Sequence, residues 1–180
     1  MPTIMTHPAP MLALAAGLGT NIISPRLAVA AACCAVLPDL DVAGFWLGVQ
    51  YMTAFGHRGA SHSLVFALAV GVLGWLSASF LHSGRLKAFF VLFLAFSSHI
   101  LLDAMTTGNF GVAVFWPFTA ERYVLPWHPI RVSPLSPRAF LTERGLAVLL
   151  SELRWVWLPS LGLFIFLRLF RLFSQKERTH

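Results

Sequence analysis

The apolar positions of the chain fall into runs separated by short polar breaks, and the length of each run decides what it forms. Residues 11–23 and 27–37 are apolar but shorter than the roughly 20 residues that cross a bilayer as a helix. Gly19-Thr20-Asn21 and Ser24-Pro25-Arg26 lie between them and read as turns, which predicts two short or tilted helices, or one broken helix. Residues 64–81 carry no charge and predict a spanning helix. His82-Ser83-Gly84-Arg85-Leu86-Lys87 is a tight polar turn, and residues 88–102 are apolar again, so these two runs form a helical hairpin. Residues 106–144 hold Gly108, Gly111, Pro117, Pro126, Pro129, Pro134 and Pro137. That is too much punctuation for a spanning helix and comes with too many aromatics for a free linker, so the segment predicts an ordered cap at the membrane interface. Residues 145–173 form a last helix with Glu152 and Arg154 in its first turns and Arg168, Arg171, Lys176 and Arg178 toward and beyond its end. The pattern predicts an all-α, polytopic membrane helix bundle of about four to five helices with an irregular interfacial cap, without internal repeats. Residues 1–180 read as a single membrane-embedded domain with the cap inside it. No Lys or Arg precedes Met11, so the N-terminus lacks the basic region of a signal peptide and reads as mature.

Composition sharpens this picture. The 180 residues are 57% hydrophobic and 11% charged, against roughly 25% charged in an average soluble protein. With 16 Phe, 6 Trp and a mean hydropathy of +0.74, the chain is not that of a disordered segment, a disulfide scaffold or an ordinary cytosolic enzyme. The net charge of +6 comes from 13 Lys and Arg against 7 Asp and Glu. On a membrane protein such an excess serves topology and anionic headgroups, and without a basic run interleaved with aromatics no nucleic-acid partner is expected. Cys33 and Cys34 are adjacent in an apolar run and suggest neither a disulfide framework nor a thiolate metal site.

In so apolar a chain the placement of ionisable residues carries the information, because each costs about 2.5–3.5 kcal/mol at mid-bilayer even on a mild scale. They cluster. Asp39 and Asp41 follow the first apolar region in Leu37-Pro38-Asp39-Leu40-Asp41. His57 and His62 precede the helix that starts at Leu64, and His99 and Asp103 close the returning helix. The start of one hairpin arm and the end of the other lie at one membrane face, so these groups converge. His99 and Asp103 are four residues apart and project from one helical face, able to grip one ion. His57 and His62 would stand about 140° apart on an ideal helix, so His57 is expected on the entering loop and His62 in the first turn, as Gly56 and Gly59 permit. Asp39 and Asp41, two apart after a proline, would project from the same side of an extended turn. Singly these residues have ordinary readings: Asp39 and Asp41 as helix N-caps, His99 with Asp103 as a buried hydrogen-bonded pair. The metal reading gains from their company, since all three Asp and four of the seven His fall in or near the cluster. His82 in the opposite turn and His180 at the terminus read as solvated. Imidazole and carboxylate without thiolate suit Zn²⁺, Mn²⁺ or Fe²⁺.

Thr6-His7, Leu37-Pro38-Asp39-Leu40-Asp41, Gly56-His57-Arg58-Gly59-Ala60-Ser61-His62-Ser63-Leu64, Ser98-His99-Ile100-Leu101-Leu102-Asp103 with Thr106-Thr107, and Trp116-Pro117 followed by Arg122 and Leu125-Pro126 together resemble the YdjM-like family of bacterial membrane-bound metal-dependent hydrolases. The resemblance covers roughly residues 5 to 130, and the His-Arg-Gly-x-Ser-His-Ser block is its most specific part. It implies a distant similarity to zinc-dependent phospholipase C and the single-strand nucleases of the same helical fold. In those proteins an early His, an Asp, a His and a His-x-x-x-Asp pair bind clustered zinc. His7, Asp39, His57 or His62, His99 and Asp103 match those positions. The pattern departs after Asp103, because Val132 stands four residues after His128 where a Glu would be needed, so one or two ions are expected rather than three.

The expected chemistry is hydrolysis, most economically of a lipid phosphoester, by water that a bound divalent ion, with zinc favoured, makes acidic. Arg58 is expected to bind a phosphate oxygen or to anchor at the interface, Asp39 or Asp41 to act as general base, and His128 to protonate the leaving group. The competing expectation is a metal-binding membrane protein or metal-ion transporter without catalysis. A transport path needs polar groups through the bilayer, whereas residues 64–81 and 88–97 offer only Ser, Gly and Trp, which favours a one-sided site. An intramembrane metalloprotease would need a His-Glu-x-x-His that the chain lacks. Arg26, Arg85, Lys87, Arg168, Arg171, Lys176 and Arg178 lie opposite the cluster in short loops and the tail, which places that end in the cytoplasm and the site on the outer face of a bacterial inner membrane.

Overall fold

The computed structural model describes residues 1–108, 110–134 and 136–177. Arg178 and His180, given roles in the tail above, lie outside the described residues. Among these residues the regular structure is helical, with only two isolated bridge pairs, Thr106 with Ile130 and Val112 with Tyr123.

Helices α1 (Ala9–Leu18) and α2 (Pro25–Cys34) are the short pair read from the first two runs. Pro25 suits the first helical turn, and Ser24 caps it by accepting the Leu27 N–H while its hydroxyl donates to the Leu81 carbonyl. A 3₁₀ segment over Leu37–Leu47 continues α2. Pro38 has no N–H to carry the α-helical ladder on, and the chain tightens to i→i+3 bonds such as Asp39 N–H to Val36 C=O at 3.1 Å. Helix α3 (Leu64–Leu76) runs away from the His-rich loop, and α4 (Arg85–Ala104) returns. They pack closely because a Cβ at Gly74 would meet the Ala88 carbonyl oxygen at 2.8 Å, an approach only glycine allows. A single turn, α5 (Pro137–Phe140), precedes α6 (Glu143–Glu152), which passes through a π-helical turn at Leu153–Trp157 into α7 (Leu158–Glu177).

Three stretches are long and apolar enough to span: Pro25–Leu47, Arg85–Ala104 and Glu143–Gln175. Residues 64–81 do not form one continuous spanning helix. Helix α3 ends at Leu76, and the irregular turn that follows carries His82 at φ 50°. Thirteen residues reach about 20 Å, short of the roughly 30 Å of hydrocarbon in a bilayer. Helix α1 packs on α7, and α2 and α3 both pack on α4 around Leu27, Ala31, Ala67, Ala88, Ala95 and Phe96. The small residues at these contacts let helices approach without a water-driven core.

At one end of the bundle, cations tie the turns together: Lys87 donates to the Ile22 carbonyl at 2.8 Å, Arg171 donates to the Leu18 carbonyl at 2.6 Å, and Arg26 lies 3.1 Å from His82. At the other end the expected cap, residues 106–144, folds over the hairpin mouth. Its backbone joins the helices through Leu64 N–H to Val114 C=O at 2.9 Å, Leu125 N–H to Ala104 C=O at 3.1 Å and Ala113 N–H to Arg58 C=O at 3.0 Å. The cap is thus not wholly irregular, since it ends in α5 and the start of α6, two residues ahead of the boundary read from the pattern.

Candidate metal centre

Under the cap, four chain segments bring His7, Asp39, His62, His99 and Asp103 together, and all five side chains are buried. His7 comes from the residues before α1, Asp39 from the 3₁₀ segment, His62 from the turn Ala60–His62, and His99 and Asp103 from the last turns of α4. His57 sits on the entering loop, as expected. That loop is wound so tightly that a Cβ at Gly59 would fall 2.3 Å from the Ala54 carbonyl oxygen.

The hydrogen bonds set the tautomers. His99 Nδ1 lies 2.8 Å from the Ala35 carbonyl, which can only accept, so Nδ1 carries the proton and Nε2 presents a lone pair. His62 Nδ1 lies 3.1 Å from an oxygen of Asp41, which leaves its Nε2 in the same role. The two Nε2 atoms face each other at 3.1 Å, a separation at which bare lone pairs repel unless a proton or cation lies between them. Around them, Asp39 Oδ1 is 3.5 Å from His99 Nε2 and 3.8 Å from His62 Nε2, while Asp103 Oδ2 is 3.5 Å from His62 Nε2 and 4.0 Å from that of His99. Ligand atoms held tetrahedrally about 2.0–2.2 Å from one Zn²⁺ stand about 3.4 Å apart, so the set has the spacing such an ion needs. Neither oxygen of Asp39 accepts a protein hydrogen bond, and Asp103 has only the ion pair with Arg58, an arrangement that burial makes costly without a further cation. The donor set fits a divalent metal.

His7 occupies the far side of the two carboxylates. Its Nε2 lies 3.6 Å from Asp39 Oδ2 and 3.6 Å from Asp103 Oδ1, the oxygens turned away from the His62–His99 pair, and its ring stacks on His99 at 3.7 Å. Burial, helped by the neighbouring His99, pulls the His7 pKa down to about 3, so the ring is neutral and able to ligate. Burial also opposes charge on His62, but the surrounding carboxylates of Asp103, Asp39 and Asp41 outweigh it and push the pKa up to about 10. A proton on His62 thus supplies the positive charge that a bound cation would otherwise bring.

Asp39 and Asp41 do not share a face. At three residues per turn, positions two apart point about 120° from each other, so Asp39 faces the centre while Asp41 faces the loop. Asp41 lies 2.6 Å from His57 Nδ1, accepts the Ser61 hydroxyl at 2.6 Å and accepts the Arg58 N–H at 3.2 Å. It orients His57 and His62 as a carboxylate behind metal-binding imidazoles does, and the three also form a compact group of possible ligands. Of the two histidines left open by the sequence, His62 joins the centre and His57 is tied to it through Asp41.

Arg58 is no interfacial anchor. It is 1% exposed, its Nε lies 2.9 Å from Asp103 Oδ2, and its Nη2 donates to the Thr106 hydroxyl at 3.0 Å. Its backbone adopts φ 63°, which a non-glycine residue holds only when its surroundings fix it, here through Asp41 and Ala113. Nη1 is buried without a partner. His128 is not brought to the centre. It is exposed, with Nδ1 3.1 Å from the Leu125 carbonyl.

Two residues that the sequence reading named but gave no role at the site support it. Arg122 donates to the His57 carbonyl at 3.0 Å and to the Tyr51 carbonyl at 3.0 Å, fixing the loop from the cap. Glu152 is 1% exposed and accepts from the Thr3 N–H at 2.5 Å, the Thr3 hydroxyl at 2.7 Å and the Thr6 hydroxyl at 2.7 Å. It clamps the residues before His7 to the start of the last long helix. The signal available was Glu152 itself, a carboxylate in an apolar helix that must have a partner.

The family model described as "YdjM inner membrane protein" matches residues 1–177. The "Inner membrane protein YbcI" of Escherichia coli (strain K12) is 43% identical over 162 residues, covering 89% of this chain and 94% of its own. No solved structure matches the chain.

Purified protein loaded with Zn²⁺ should carry near-stoichiometric metal by elemental analysis, and a His99→Ala, Asp103→Ala double variant should carry almost none. Undiminished metal in that variant would remove the centre. Glu152→Ala should lower stability in detergent by about 1–3 kcal/mol, the cost of stranding buried donors, and Glu152→Gln should restore most of it. Equal melting temperatures for Glu152→Ala and the unmodified chain would show that the clamp carries no energy.

Proposed function

The chain belongs to the YdjM inner membrane protein family, and from that premise we propose that it is a membrane-bound, metal-dependent hydrolase of phosphoesters, with lipid-like substrates favoured. The observation that carries the reading is the convergence of two imidazole Nε2 atoms, the unpartnered carboxylate of Asp39 and the carboxylate of Asp103 at one buried point. His62, His99, Asp39 and Asp103 would hold one ion, with zinc suited best and manganese or iron acceptable to the same donors. The outward oxygens of Asp39 and Asp103, with His7 behind them, offer a second position, so one or two ions are accommodated. A bound divalent ion supplies the chemistry by lowering the pKa of water from 15.7 to about 7.

The chain's own groups do the rest. Asp103 and Arg58 form a buried pair that keeps the guanidinium beside the centre, with Nη1 left to meet a phosphate oxygen. Asp41 is occupied by His57, Ser61 and Arg58, and Asp39 faces the centre, so neither carboxylate is the natural carrier of a proton to the leaving group. His57 is better placed than His128. Asp41 holds its Nδ1, and the ring lines a cleft of about 390 Å³ that opens beside the cap, so Nε2 takes or delivers a proton there. A second cleft of about 350 Å³ reaches Asp39. Both lie where a lipid headgroup would meet the cap, which supports the lipid-like substrate.

Complete burial of the four ligands favours a second reading, a metal-binding or metal-transporting protein without catalysis. The one-ended placement of the cluster argues against transport, since α3 and the first part of α4 present apolar side chains through most of their length.

Phosphodiester hydrolysis in detergent and in liposomes should depend on added Zn²⁺ or Mn²⁺ and stop with chelator. Asp103→Ala should abolish it, His57→Ala should lower kcat about 10²- to 10⁴-fold, and His128→Ala should leave kcat unchanged. Metal flux without turnover would replace the hydrolase with the transporter.

The orientation that accompanies this reading places the cap outside. Arg26, Arg85, Lys87, Arg168 and Arg171 gather at the end away from the centre, and short-loop cations face the cytoplasm. In a background lacking Cys33 and Cys34, an impermeant thiol reagent should label Ser136→Cys in intact cells and spare Gln175→Cys. The reverse pattern would turn the protein over and put the chemistry in the cytoplasm.

A further inference from the structure

Building on the hydrolase reading, we infer that the cap carries a trough that binds the phosphate group of an anionic phosphoester, with Arg144 and Arg131 as its partners. The trough is made of two adjoining clefts. The inner one, of about 390 Å³, is lined by Tyr51, His57, Phe110, Ser133, Ser136 and Arg144 among others. The outer one, of about 520 Å³, is lined by Thr107, His128, Arg131 and Val148 among others. Both are lined by Val132 and Arg144, so Arg144 stands on the ridge between them. Each volume lies within the range of small-ligand sites.

The chemistry of the lining selects the ligand. No carboxylate lines either cleft among the described residues, and neither Arg131 nor Arg144 lies in a salt bridge to a described carboxylate. Unpaired guanidiniums at the mouth of a partly apolar cleft attract an anion, and their planar forks match two oxygens of a phosphate. Ser133, Ser136 and Thr107 add hydroxyls, while Phe110, Val132 and Val148 offer a surface for the carbon skeleton of an ester. The inner end is His57, which Asp41 couples to the centre, so a phosphoester seated on Arg144 lies on the route to the site of cutting. Arg131 and Arg144 thereby select anionic over neutral headgroups. His128, which the centre leaves out, finds its place here as a wall of the outer cleft.

The test measures binding to full-length protein stripped of metal by chelator, so that turnover plays no part. The probes, added to detergent-solubilised protein, are inorganic phosphate, the soluble diester glycerophosphoglycerol, and short-chain phosphatidylglycerol or phosphatidylcholine. Glycerophosphoglycerol should bind, weaken with salt, and compete with phosphatidylglycerol. Arg131→Ala with Arg144→Ala should weaken binding about tenfold or more, and the double Lys variant, which keeps the charge but not the fork, should fall in between. Both positions are exposed, so the variants keep the fold. Displacement by inorganic phosphate would mean that the phosphate alone is recognised, and displacement by the diester only would assign a headgroup. Either result supports the trough. Unchanged affinity in the double Ala variant would overturn it, as would phosphatidylglycerol binding with which no soluble anion competes. If the hydrolase reading alone fails, arginine-dependent binding persists without turnover. If the trough alone fails, turnover persists with arginine-independent binding.

Discussion

Three aspartates carried to one end of an apolar bundle must be compensated, and the arrangement of the rest of the chain follows from that requirement. A buried carboxylate without a partner costs several kcal/mol, and this protein answers with four imidazoles, one guanidinium and room for a cation. Each aspartate is met differently. Asp41 is satisfied by hydrogen bonds from a loop. Asp103 lies against Arg58 and against His62. Asp39 is left facing lone pairs, and it is this last arrangement that calls for a metal.

The supporting structure reads as a set of devices for holding these side chains still. Pro38 forces the change to 3₁₀ geometry that separates Asp39 from Asp41. Gly59 permits the tight loop between His57 and His62, and Gly74 lets α3 and α4 close near the turn of the hairpin. The cap, which the hydropathy pattern marks only as broken, acts as a brace. Through Arg122 it fixes the backbone of His57, and through Ala113 and Thr106 it holds Arg58 in a strained conformation.

How much of this was legible in the sequence depended on the range of the interaction involved. The hairpin, and with it the meeting of His99, Asp103 and His62, follows from two apolar runs and a short turn, all local features. The facing directions of Asp39 and Asp41 did not, because an extended turn and a 3₁₀ helix have similar local signals and differ by the rotation that matters. The end of α3 at Leu76 was hidden because Ser77, Ala78 and Phe80 are as acceptable in a membrane helix as in a turn. Glu152 was visible as an anomaly, but its partners Thr3 and Thr6 lie about 150 positions away and nothing in the pattern names them. The choice between His57 and His62 was likewise settled only by the fold: Asp41 reaches the Nδ1 of both rings, but only His62 turns its Nε2 toward His99, Asp39 and Asp103.

The ligands come from four separate stretches, spread from His7 to Asp103, and the first of them is secured by Glu152 near the other end of the chain. An unfolded or half-assembled chain therefore has no site, and a cation that fits the native set binds the finished bundle alone. By mass action such an ion, at 100 times its dissociation constant, adds about 2.7 kcal/mol to the native state. Metal supply would then act as a checkpoint on assembly: chains inserted in its absence would remain open to proteolysis, and the amount of protein in the membrane would track the ion.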